Sequence, residues 1–92
     1  MQIDSNMIPS INLAYYKESD WKRFLESIDD KESMHDTWKD WHNAFLKTKK
    51  GFISQGFIVN DIVVEIDKLQ DYCIMRGIKN DGKARSQFVA NK

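Results

Sequence analysis

A chain of 92 residues is one domain long, and with 41% apolar side chains it is globular by composition, not disordered. Formal net charge is zero and there is one cysteine, Cys73. Those two facts argue against attachment to nucleic acid by bulk charge and exclude an intramolecular disulfide scaffold. The opening MQIDSNMIPS lacks the basic region and apolar run of a signal peptide, and no stretch approaches membrane-spanning length. The expected compartment is therefore the cytoplasm, with no membrane partner.

Charge is uneven along the chain. Residues 1–46 hold nine acidic and five basic side chains, and residues 47–92 hold five acidic and nine basic. Acids gathering near helix starts and bases near helix ends account for this. Self-complementary association, or an anionic partner for the second half, is the sharper reading.

Residues 1–9 show no period and read as a leader closed by Pro9, which disfavours helix at Ile8. Ile11, Leu13 and Tyr15 then alternate with Asn12, Ala14 and Tyr16, the period of a short strand. Ser19 reads as an N-cap. Trp21, Phe24, Leu25 and Ile28 follow at the spacing of one helical face.

The longest pattern runs from Asp30 to Gln55. Met34, Trp38, Trp41, Phe45 and Phe52 draw one apolar stripe at helical spacing. Asp29 and Glu32 have capping-box spacing and place the helix start there. Gly51 and Gly56 offer stops, and the stripe reaching Phe52 puts the end near Gln55. Residues 57–66 read as one continuous strand with Ile62, Val64 and Ile66 on one face. A hairpin at Asn60-Asp61 would leave arms shorter than strands usually are.

Asp67 with Gln70 has the spacing of a second capping box, opening a helix with Leu69, Tyr72 and Cys73 inward. Gly77 suits a left-handed C′ position. Asn80-Asp81-Gly82 is turn chemistry, and a last helix carries Ala84, Phe88 and Val89 on one side. The predicted fold is α+β: a single small domain of order β-α-α-β-α-α, with a two-stranded sheet and helices packed on one face.

Candidate chemistry is sparse. Residues 77–84 read GIKNDGKA, one residue short of a phosphate loop. Ala84 has no hydroxyl for a magnesium ion, and a helix precedes the segment where that motif needs a strand. His35 and His42 stand seven apart, about 10 Å along a helix, too far for one metal ion. A lone Cys73 on an apolar helix face reads as inert packing. The carboxylate pairs Asp29-Asp30 and Asp36-Asp40 read as a helix cap and a solvated face. No catalytic, cofactor-binding or metal site is expected, and none of these patterns is that of an enzyme.

Two surfaces remain. Trp38, Trp41, His42 and Phe45 form a candidate interface, although core packing is the commoner reason for such spacing. Arg76, Lys79, Lys83 and Arg85 crowd a segment whose one acid is Asp81 and form a candidate contact for nucleic acid or another anion. That helix-turn-helix region, with its Gly and Lys-Ala elements, resembles SAP-type DNA-binding modules over about a quarter of the chain. The segments AYYKESDW, DKESMHDTWKDW, GFIV and IDKLQDYCIMRGIKNDGKARSQFV are similar to a group of short, uncharacterised bacterial proteins. That resemblance implies a bacterial, stand-alone context and no activity. Two strands make a marginal sheet, so a homodimer is expected, by joining sheets or by burying the tryptophan-bearing helix. The expected function is a non-catalytic interaction protein that self-associates, with a protein partner in addition. Nucleic-acid binding through the C-terminal bases is the alternative.

Overall fold

The computed structural model describes residues 8–92. The expected leader lies outside the described residues, apart from Ile8 and Pro9. Strands β1 (Ser10–Tyr15) and β2 (Ile58–Val63) pair in parallel, in register from Ser10↔Ile58 to Tyr15↔Val63. Parallel strands cannot be joined by a tight turn, so the chain between them must cross a face of the sheet. It does so through α1 (Trp21–Ser27) and α2 (Trp38–Ser54). After β2 come α3 (Ile66–Arg76) and α4 (Gly82–Ala90). The mixed class and the element order are those that the periodicities predict, and Asn60-Asp61 stays inside one strand.

Alternation along the strands divides the helices. Tyr15 packs its ring edge-on against Trp41 and Phe45 of α2, at 5.7 and 5.4 Å. Asn12 lies on the opposite face, where its side-chain amide donates to the Val89 carbonyl of α4 at 2.9 Å. The helices are thus not all on one face, because the crossover helix α2 takes the face that α4 leaves open. Two-sided cover is the usual state of parallel strands.

The core is aromatic at one end of β1. Tyr16 stacks on Phe24 at 4.0 Å and meets Trp41 at 5.1 Å, and Trp21 meets Trp41 at 5.7 Å. Phe24, Val64, Leu69 and Val89 are essentially inaccessible. Trp21, Phe24 and Ile28 are buried as the α1 stripe predicts, and so are Leu69 and Cys73 on α3.

Helix starts depart from the sequence reading. Ser19 sits within a single 3₁₀ turn over Glu18–Asp20 that runs directly into α1, so it caps nothing. The long helix begins at Trp38, with the Thr37 hydroxyl accepting from the Asp40 amide at 3.2 Å. Asp29 and Asp30 fail as caps because tertiary partners take their carboxylates. Asp29 Oδ2 accepts from the Asn80 amide at 2.7 Å, and Asp30 pairs with Arg85. The chain between them and Thr37 makes only a 3₁₀ turn at Lys31–Ser33. Asp67 likewise lies inside the first turn of α3 and pairs with Arg23, while Glu65 holds the cap position.

Helix ends follow expectation. Gln55 closes α2. Gly77, at φ 63°, closes α3, with Ile78 donating to the Cys73 carbonyl and Gly77 to that of Ile74. Asp81 caps α4 by accepting from the Ala84 amide at 2.9 Å.

Thr37→Ala should therefore destabilise the fold by about 1 kcal/mol, and Glu32→Ala should leave it within about 0.5 kcal/mol of wild type, measured by urea unfolding. The reverse order would return the start of α2 to Asp29.

Candidate functional site

The free edge of β1 is where the fold leaves backbone chemistry unused. Ile58 donates to the Pro9 carbonyl and Val64 to the Tyr15 carbonyl, both at 2.9 Å. In a parallel ladder alternate residues face the partner strand, so Ile11, Leu13 and Tyr15 direct their N–H and C=O at β2. Ser10, Asn12 and Ala14 direct theirs outward. Among the described residues no group pairs with these outward donors and acceptors. The edge stops at Tyr16, whose carbonyl accepts from the Trp38 indole N–H at 2.7 Å.

Two helices wall this edge into a groove. A cavity of about 550 Å³ is lined by Ile11 and Leu13 of β1, Phe52 of α2, and Ser86 and Ala90 of α4. A second, of about 220 Å³, continues it past Ala14 to Met34 and Trp41 on one side and Gly82 and Ser86 on the other. The α4 wall is a line of small residues, Gly82, Ser86 and Ala90, spaced one turn apart. No residue of β2 lines either cavity.

The two strand edges differ in protection. β1, Ser-Ile-Asn-Leu-Ala-Tyr, carries no charge. β2 has Asp61 at its centre, held by Lys49 at 2.9 Å. A charge on an edge strand discourages pairing with another chain. By that criterion β2 is blunted and β1 is open.

Arg85, which lines the second cavity, belongs to an ion pair with the half-buried Asp30. Arg85 is 5% exposed. Its two terminal nitrogens donate to the Asp30 carboxylate at 2.9 and 2.8 Å, and one also donates to the Asn80 carbonyl at 3.0 Å. Hydrogen bonds from that guanidinium hold the Asp30 carboxyl below the usual carboxylate range, against the opposing pull of partial burial. Burial pushes the Tyr16 hydroxyl up to about 12, with the nearby Arg85 charge drawing it partly back. No buried side-chain polar atom among the described residues lacks a partner. The arrangement is a closed structural network.

The residues singled out from sequence separate accordingly. Trp41 and Phe45 are buried, and Trp38 is half-buried with its N–H committed to Tyr16. His42 is half-buried and stacks on Trp38 at 4.4 Å. His35 is exposed in the loop before α2, and among the described residues no three potential ligands gather to hold a metal. Cys73 is buried, and burial together with the charges of Asp29 and Asp81 raises its thiol pKa, which disfavours a reactive thiolate. Arg76, Lys79 and Lys83 are exposed, with Arg76 lying over the Tyr72 ring at 3.9 Å. Lys79 and Lys83 share a cavity of about 240 Å³ with Asp81. Arg85 is not part of that surface, because its guanidinium is buried and paired.

Sequence reasoning missed the open edge, which exists only once the pairing partner is known. It also missed Arg85, although the signal was present: residue 85 lies on the stripe of Ala84, Phe88 and Val89. No protein-family model, curated protein or solved structure matches the chain.

Removing Asp30 leaves a buried guanidinium uncompensated, so Asp30→Ala should cost about 3–5 kcal/mol. Arg85→Met should cost less, since the Asp30 side chain it strands is 23% exposed and can hydrate. The Asp30 carboxyl has a lower pKa folded than unfolded. Its stabilisation is complete above the ordinary aspartate value of about 3.9 and fades as pH falls through the lowered one. Unfolding titrations in acid should show that loss in wild type, and Asp30→Asn should lack that component.

Proposed function

We propose that this chain is a non-catalytic, cytoplasmic interaction protein that self-associates, with the edge of β1 as its contact. One observation carries the reading: an uncharged strand edge whose outward backbone groups no described residue pairs, in a groove between α2 and α4. An exposed edge of this kind is a template for pairing with another chain. Burial of Trp41 and Phe45 in the chain's own core favours joining sheets over pairing the tryptophan-bearing helix. Kinship with the short bacterial proteins belongs to the same proposal and brings no activity with it.

The nucleic-acid alternative rests on fewer residues than the sequence offered. Arg76, Lys79 and Lys83 are its contacts, and Asp81 opposes two of them in one cavity. A gel shift that weakens with salt and is lost in Lys83→Glu would select it over self-association.

Sedimentation at tens of micromolar should give a dimer. Ile11 is half-buried beside the groove and outside the core cluster, so Ile11→Lys should leave the far-ultraviolet circular dichroism unchanged. It should weaken association on the order of a hundredfold by placing like charges across the joint. A wild-type monomer at those concentrations contradicts the reading.

A further inference from the structure

We infer that the groove along β1 is a binding site for one extended, uncharged segment of another protein, taken up as a third strand of the sheet with an apolar side chain at every second position. The inference rests on the same open edge as the self-association proposed above, and the two occupants exclude one another.

The backbone dictates the chemistry of the occupant. Between Ser10 and Ala14 the outward N–H and C=O groups recur at every second residue, and no described residue pairs with them. Donors and acceptors at that repeat are matched in full by another extended backbone, whereas a helix end or a small molecule meets one or two of them. The side chain at the centre of the strand does not compete for them. Asn12 donates to the Val89 carbonyl at 2.9 Å and accepts from the Asn60 amide at 3.1 Å, so both ends of its side-chain amide are committed within the fold. The Trp38 indole closes the site at the Tyr16 carbonyl.

The walls select what the segment carries. Successive side chains of an added strand point to alternate faces. On one face they meet Ile11, Leu13 and Phe52, all half-buried, so apolar side chains there remove further apolar surface from water. On the other they meet Ser86 and Ala90, small and exposed. The larger cavity, about 550 Å³, is of the size that encloses a ligand. No charged side chain lines it, so a charge carried into it finds no counter-ion. In the second cavity the charge of Arg85 is already held by Asp30. An uncharged segment is the one that matches.

The shape of the groove suits a bare strand. Residues of α2 and α4 stand on either side of β1, which is recessed between them. A single extended segment brings no helix of its own and fits between those walls as they stand. Pairing with an exposed edge in this way gives affinity through main-chain bonds and specificity through alternate side chains.

The test adds peptide to the whole chain, held below its association range, and follows the backbone amides of β1. The probe is a capped peptide of alternating threonine and valine. At millimolar peptide the Asn12 and Ala14 amides should shift and exchange at least severalfold more slowly, while Ile11 and Leu13, which donate toward β2, keep their exchange rates. Methylating alternate backbone nitrogens of the peptide should weaken binding roughly tenfold or more, because it removes donors from the ladder. Ser86→Arg, at an exposed position of the α4 wall, should abolish the response and leave the far-ultraviolet circular dichroism unchanged. Unchanged Asn12 and Ala14 amides at millimolar peptide, or equal binding of the methylated peptide, overturn the inference and leave self-association to sedimentation. Asn12 and Ala14 amides already protected in the dilute chain without peptide overturn it too. A chain that binds the peptide yet stays monomeric at tens of micromolar upholds this inference and removes self-association.

Discussion

The parallel pairing of β1 with β2 is the constraint from which the rest of the molecule follows. A parallel neighbour cannot be reached by a tight turn, so residues 16–57 must climb over one face and return. That places α2 against Leu13 and Tyr15 and leaves the Asn12–Ala14 face for α4. Two strands then have cover on both faces and, among the described residues, two edges without a neighbouring strand. Edge protection differs because β2 carries Asp61 and β1 carries no charge. The groove along β1 is a result of topology: two helices overhang a strand that, among the described residues, has no neighbouring strand on that side.

What fixes the groove walls is chemistry at the far end of the chain. Arg85 ties α4 to the loop before α2 through Asp30, while the Asn80 and Asp29 backbones and side chains lock the α3–α4 corner onto the same loop. A buried ion pair of this kind adds little net stability compared with an apolar replacement, yet it penalises any arrangement that separates its members. Its contribution here is register: it sets where α4 lies over β1. Trp38 does the matching work from α2, capping the last open carbonyl of the edge at Tyr16 and so limiting the edge to Ser10–Ala14.

Much of this was legible in the residues, and most of the exceptions turn on partners distant in sequence. Apolar period alone located β1, the face of α1, the stripe of α2 from Trp38 onward and the inward positions of α3 and α4, while Met34, read as the start of that stripe, lies before the helix. Those signals are local, and burial merely uses them. Gly77 and Gln55 ended their helices for equally local reasons. The starts of α1, α2 and α3 were misplaced because Ser19, Asp29 and Asp67 each had cap-like spacing and each met a different fate. Ser19 was absorbed into a 3₁₀ turn, while Asp29 and Asp67 found partners distant in sequence, at Asn80 and Arg23. Arg85 was read as a surface base because charge is usually solvated, although it sits on an apolar stripe. The groove could not be read at all, since an edge is defined by the strand that is missing beside it.

Amide hydrogen exchange along β1 tests the central claim most directly, because one strand supplies both probe and control. Ile11, Leu13 and Tyr15 donate toward β2 and should be protected at every protein concentration. Asn12 and Ala14 donate into the groove. The account predicts that their exchange is fast in dilute solution and slows as concentration rises through the association range. Fast exchange of Asn12 and Ala14 at all concentrations, with their odd-numbered neighbours protected throughout, would contradict it.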